Sequence, residues 1–402
     1  MTVLLFWLCA AFIAYVYAGY PALLAVRARL VRRRSGHVRP APPLPSVSIV
    51  VAARNEAAVI ARRVENLLQL DYPSALRQII VVSDGSDDDT EAVLKSYGSR
   101  IDVIALPPSG KAAALNAGVA QADHDIIVFT DARQTFAADA LRELARSFDD
   151  PHVGAVSGEL RLEGEPGGRR SAAGDRRTID GPAPPRADRR SGADRRQIVQ
   201  STIAAAVGLY WRLEKRIRQL ESNVDSVIGA TGAIYAMRRR LWTPLPAGTV
   251  LDDVLAPMRC VLAGHRVVFN ARALAFDRLA PNAAVEARRK RRTLAGNYQI
   301  LLLEPRLLLP WSNRLWLQYV SHKVGRLVVP YALVGLLLTS AVLAGRSTFY
   351  AVALAAQGAF YLLAMYGAWL EFDDRRQEDL ARTAVAEGSM TRLKLESSRN
   401  GR

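Results

Sequence analysis

Hydrophobic and polar positions divide the chain into two regimes. Long uncharged runs occupy residues 3–26, 327–344 and 349–370, each long enough to cross a hydrocarbon core of about 30 Å as a helix. Between them, short apolar runs alternate with longer amphipathic ones. Residues 47–51, 78–82, 101–105 and 126–130 read as strands; residues 56–70, the stretch after Thr90 and residues 111–120 read as helices. Such alternation predicts an α/β domain with a mainly parallel sheet and helices on both faces. The run Ile126, Ile127, Val128, Phe129 suits a strand covered on both sides, and it ends in Thr130 and Asp131. Ligands of open α/β sheets bind outside the carboxyl ends of strands. A carboxylate there can hold a divalent cation, and the cation a diphosphate. Taken alone, Asp131 equally suits a helix cap or a turn.

The same pattern sets the domain organisation. Residues 1–26 form a membrane anchor and 27–45 a basic, proline-rich linker. Arg27, Arg29, Arg32, Arg33 and Arg34 place that end of the span in the cytosol. Residues 46–163 and 198–310 are the two halves of the α/β domain, interrupted at 164–197 by an arginine-rich stretch poor in large apolar residues. In the second half, 198–220, 251–262 and 286–303 read as helices and 267–270 as a strand. Residues 229–232 (Gly-Ala-Thr-Gly) are small enough for close approach by a ligand. Residues 311–326 mix Trp311, Leu315, Trp316, Tyr319 and Val320 with Arg314, His322 and Lys323, as in a helix lying at a membrane surface. Two further spans, 327–344 and 349–370, return a charged tail, 371–402, to the cytosolic side. The expectation is a multi-pass protein of the inner or cell membrane with its core in the cytosol.

Charge narrows the partners. The formal net charge is +16 over 402 residues. In a chain with these spans, anionic lipids and anionic substrates account for it. No aromatic–basic reading motif points to nucleic acid. The only two cysteines, Cys9 and Cys260, imply no disulfide framework, and the five histidines show no ligand spacing.

Candidate chemistry follows the strands in order. Arg54, Asn55 and Glu56 follow the first strand, and Ser83-Asp84-Gly85-Ser86-Asp87 the second, where Asp84 can accept a hydrogen bond from a base or ribose. Lys111 opens a helix, where an ammonium and free backbone N–H groups together can meet a phosphate. Asp131 follows, then the pair Asp252-Asp253, then the basic run Arg288-Arg289-Lys290-Arg291-Arg292-Thr293. The ordered set resembles the family-2 glycosyltransferases of GT-A (Rossmann-like) fold, and within them the membrane-anchored branch of the hyaluronan, chitin and cellulose synthases. The resemblance runs from about Ser46 to Tyr331. It implies that Ala52, Arg54, Glu56 and Asp84 embrace the uridine of a nucleotide-sugar and that Lys111 lies in the donor site. It makes Asp131 the first aspartate of an Asp-x-Asp metal motif for Mg2+ or Mn2+. Arg133 stands at the motif's second position; a guanidinium cannot ligate a cation and instead suits the diphosphate. Asp253 falls where the family keeps its catalytic base, with Asp252 beside it to raise its pKa. Arg289 and Arg292 match a Gln-x-x-Arg-Trp motif whose tryptophan is replaced by Thr293.

The resemblance implies an inverting transfer of a sugar, most simply from a UDP-sugar, to a lipid or growing polysaccharide at the cytosolic face. Partner subunits would complete any export path, since the spans are few for a channel. The competing reading is a non-catalytic receptor or assembly subunit on the same scaffold, sensing nucleotide or anionic lipid through its arginine-rich insertion. Retention of both Asp131 and Asp253 favours the enzyme.

Overall fold

The computed structural model describes residues 1–31, 43–162, 212–277, 283–367 and 369. Most of the 27–45 linker, the 164–197 insertion, the first part of the expected 198–220 helix, the end of the last expected span and the 371–402 tail lie outside the described residues. In chain order the elements are α1 (Thr2–Ala14), α2 (Tyr20–Leu30), β1 (Val47–Ala53), α3 (Ala57–Leu68), β2 (Arg77–Asp84), α4 (Thr90–Lys95), β3 (Asp102–Leu106), α5 (Lys111–Ala120), β4 (Ile126–Asp131), β5 (Thr135–Phe136), α6 (Ala140–Arg146), β6 (Val153–Leu162), α7 (residues 212–224), β7 (Tyr235–Arg238), α8 (Asp252–Leu262), β8 (Arg266–Asp277), α9 (Ala283–Leu303), α10 (Trp316–Tyr319), α11 (Gly325–Leu343) and α12 (Thr348–Gly367). Two compact units emerge. Among the described residues, one comprises 1–15, 283–284, 328–367 and 369, the other 16–31, 43–162, 212–277 and 285–327.

The larger unit carries an eight-stranded sheet in the order β3-β2-β1-β4-β7-β6-β8-β5. β1 runs parallel to β2 and β4, β2 parallel to β3, and β6 parallel to β8. β7 is antiparallel to β4 and β6, and β5 to β8. Continuous apolar runs make the central strands because both faces are covered. Val47, Ile49, Val51, Val81 and Val128 pack under Ile60, Val64 and Leu67 of α3 and Leu141 and Leu144 of α6. The alternate residues Val50, Ile80, Val82, Ile127 and Phe129 pack with Leu115 of α5 and Leu255 and Met258 of α8. Small residues let α5 lie close to the sheet; a Cβ on Gly118 would collide with Val50.

The sequence reading did not anticipate β5, β6 and β7, and it made β8 too short. β6 carries Gly154, Ser157 and Gly158 rather than an apolar run, because neighbours crowd it: a Cβ on Gly158 would stand 2.6 Å from the Ala273 carbonyl oxygen. The surface helix expected over 311–326 is not a separate element either. From Trp316 one helix runs to Leu343, through a π-helical turn at Val320–Val324. Leu315 and Tyr319, spaced i,i+4, are buried in the core rather than turned to a membrane surface, while Trp311 stays exposed.

Among the described residues, three helices are long and apolar enough to cross a membrane: Thr2–Leu30, Trp316–Leu343 and Thr348–Gly367. In the smaller unit Trp7 stacks on Phe349 with ring centroids 5.7 Å apart. Phe6 meets Tyr350 edge-on.

Candidate active site

The parallel register brings the sequence-predicted residues to one sheet edge. Ala52 lies opposite Asp131 across the β1–β4 pair, and Ala53 opposite Ser83 across β1–β2. Two loops are tied together above that edge. Asn55 adopts a left-handed conformation (φ 54°), its N–H donates to Ser86 Oγ at 3.1 Å, and its Oδ1 accepts from the Asp87 N–H at 3.0 Å. Asp84 is buried. Its Oδ1 accepts from the N–H groups of Ser109 (2.7 Å) and Gly110 (2.9 Å). The carboxylate expected to face a base or ribose thus fixes the glycine (φ 88°) that opens α5 and aims Lys111.

Lys111 joins the two halves of the site. Its Nζ lies 3.0 Å from Asp131 Oδ1 and 3.1 Å from Asp252 Oδ1. Burial opposes the ammonium charge, but Asp252, Asp131 and Asp253 outweigh that cost and hold its pKa above the ordinary value. Asp252 and Asp253 form the first turn of α8, where the helix dipole favours carboxylates. Asp252 is buried and receives the Tyr235 hydroxyl at 3.4 Å. Asp253 Oδ2 accepts from the Gly232 N–H at 2.9 Å, and its carbonyl from the Ala230 N–H at 2.7 Å. The close approach for which residues 229–232 are small is therefore made by Asp253 itself; a Cβ on Gly232 would stand 3.0 Å from that oxygen. Burial first, then the charge of Asp252, push the Asp253 carboxyl up to about 6, against the pull of Lys111 and Lys323. A carboxylate so tuned is poised to take a proton near neutral pH.

The remaining predicted residues are more open. Arg54 is exposed beside β1. Glu56 faces Arg133 at 3.8 Å (Oε1 to Nε), and burial raises its pKa although Arg133 opposes the rise. Arg289 pairs with Asp277 at the end of β8 at 3.6 Å, and Arg292 is exposed on the same helix. Among the described residues no group of three or more His, Cys, Asp or Glu gathers for a metal. The donor set at Asp131 is a single part-exposed carboxylate, since position 133 is a guanidinium. That suffices for Mg2+ or Mn2+ only where substrate phosphates and water supply the other oxygens, an arrangement Mg2+ accepts readily.

Sequence reasoning missed several supporting groups. Arg63, 1 % exposed, donates to Thr130 Oγ1 at 2.7 Å beneath Asp131 and stacks on the Phe136 ring. Its place in an amphipathic helix gave no sign of burial. Tyr235 and Lys323 reach the site through tertiary packing that no local pattern encodes.

An open, mainly parallel sheet with carboxylates and a lysine gathered at the carboxyl ends of its strands is the GT-A scaffold. A solved structure, a mannosyltransferase from Pyrobaculum calidifontis in complex with GDP-Man and Mn2+, shares the fold. Its TM-score is 0.62 at 21 % identity, covering 91 % of this chain and 94 % of that one. The family model "Glycosyl transferase family 2" matches residues 48–200, so this chain carries a family 2 glycosyl transferase domain. The chain is 35 % identical over 127 residues to the "Probable glycosyltransferase YdaM" of Bacillus subtilis, covering 30 % of each protein. It is 35 % identical over 120 residues to the "Beta-monoglucosyldiacylglycerol synthase" of Synechocystis, covering 28 % of this chain and 25 % of that protein. These matches span less than a third of the curated relatives' length.

Proposed function

We propose that the protein is an inverting, membrane-bound glycosyltransferase that moves a sugar from a nucleotide-sugar, most simply a UDP-sugar, to a lipid or growing glycan at the cytosolic face. The observation that carries the reading is the chain of contacts from Asp131 through Lys111 to Asp252, with Asp253 beside it held by the Gly232 amide. One end suits a diphosphate, the other an acceptor hydroxyl.

On this reading the nucleotide lies over the ends of β1 and β2, against Ala52, Arg54 and Glu56, with Asp84 holding the loop beneath it. Lys111 and Arg133 meet the diphosphate, and Arg289 and Arg292 approach it from α9. Asp131 would hold a divalent cation, which supplies charge neutralisation for the leaving diphosphate. Asp253 takes the proton from the acceptor hydroxyl as its oxygen attacks the anomeric carbon opposite the leaving group, which inverts that centre. The basic collar after α2 supports a cytosolic site, where nucleotide-sugars and anionic lipid headgroups are at hand. Purified protein in lipid, offered UDP-glucose, UDP-N-acetylglucosamine, UDP-galactose and GDP-mannose with Mg2+ or Mn2+, tests the reading. Release of nucleoside diphosphate from one or a few donors is expected. Tight donor binding without release, with lipid and glycan acceptors supplied, would move the assignment to a receptor.

A further inference from the structure

The helix Trp316–Leu343 carries ionisable residues at its start, an expensive choice in a segment apolar enough to cross a membrane. His322 is 4 % exposed and sits on the π-helical turn Val320–Val324. Such turns concentrate at functional positions. Its Nδ1 lies 2.8 Å from Glu221 Oε1 and its Nε2 3.2 Å from Glu214 Oε1, both on α7. Tyr20 donates to Glu221 Oε1 at 2.7 Å, and Arg326 to Glu214 Oε2 at 2.8 Å. Burial works against the Glu214 charge, yet His322, Arg326 and Arg218 overcome it and hold its carboxyl well below the usual range.

α7 passes this grip onward. Glu214, Arg218 and Glu221 share one helical stripe at i, i+4 and i+7. Arg218 Nη1 donates to Thr231 Oγ1 at 2.6 Å, and the Thr231 N–H donates to Ser157 Oγ at 3.0 Å. On either side of Thr231, the Ala230 and Gly232 amides are the two donors that hold Asp253.

We propose that His322, clamped between Glu214 and Glu221, is a positioning residue for Asp253, acting through α7 and the Arg218–Thr231 bond. This rests on the reading of Asp253 as base. It predicts that the orientation of the base depends on polar contacts made by the helices that begin and end the catalytic domain, through Tyr20 at one end and His322 and Arg326 at the other.

The test compares full-length protein in lipid nanodiscs with His322→Gln and Arg218→Met by amide hydrogen exchange, which needs no substrate. Exchange at Ala230 and Gly232 should rise at least tenfold in each variant, with β1, β2 and β4 unchanged. The double variant should exchange no faster than the faster single one, because both act on one path. In turnover, kcat should fall about tenfold at unchanged donor KM. If His322→Gln does not fold, Tyr20→Phe reads the same clamp by removing one bond to Glu221. Unchanged exchange at Ala230 and Gly232 in Arg218→Met or in the clamp variant overturns the proposal, as does a double variant whose effects multiply. The underlying reading fails separately: full turnover by Asp253→Asn removes the base assignment whatever the exchange shows.

Discussion

The pH dependence of turnover is the sharpest consequence of the site's electrostatics. Asp253 must be ionised to accept a proton, and its pKa is raised from the ordinary 3.8 to about 6 by burial and then by Asp252. Activity should therefore fall as pH drops through about 6, because the protonated fraction of the base grows. A charge a few ångströms away typically moves a carboxyl by about 1–3 pH units, each worth about 1.4 kcal/mol. Lys111, which bridges Asp131 and Asp252 at 3.0 and 3.1 Å, lowers the Asp253 pKa, and Asp252 raises it. Lys111→Met should then move the acidic limb of kcat/KM upward by about one pH unit, and Asp252→Asn downward by a similar amount. The assay is nucleoside diphosphate release from the preferred donor between pH 4.5 and 8.5, with circular dichroism to confirm folding. Limbs that stay put in both variants, or move in the same direction, would refute the assignment of Asp253 as the titrating base.

Gly232→Ala presses a methyl against Asp253 Oδ2, 3.0 Å from the added Cβ, and should lower kcat by about tenfold with donor affinity retained, read by steady-state kinetics. Arg133→Asp restores a second carboxylate two residues after Asp131. It should lower the Mg2+ or Mn2+ concentration for half-maximal activity, measured by metal titration after chelation. Glu214, whose folded pKa lies below its ordinary value of 4.5, contributes stability that is present above that value and lost as pH falls through the folded pKa. Glu214→Gln should be less stable than the parent at pH 7, with the gap closing at strongly acidic pH in thermal melts.

Much of this architecture was legible in the chain because the parallel half of the sheet is buried on both faces. The runs at β1, β2 and β4 are unbroken, and Asp84 and Asp131, which end β2 and β4, fall with them at one edge of the sheet. The helix opening at Asp252 was readable from two carboxylates before an apolar stripe. β6 was not, because Gly154 and Gly158 answer to neighbours distant in sequence rather than to strand propensity. The Asp84 contacts were not readable for a similar reason: a carboxylate in a turn serves a ligand or a nearby amide equally well, and only the fold brings Ser109 and Gly110 to it. The i,i+4 pair Leu315 and Tyr319 fits a membrane surface or a protein core alike, and packing decides for the core.

The most direct test compares donor turnover by the parent and by Asp253→Asn. Both would be assayed in lipid, with the nucleotide-sugar panel, a divalent metal and candidate lipid acceptors. Removing a general base should cost about 10²–10⁴ in kcat, with the affinity for nucleoside diphosphate retained. Turnover by Asp253→Asn equal to the parent's would contradict the central claim that this carboxylate activates the acceptor.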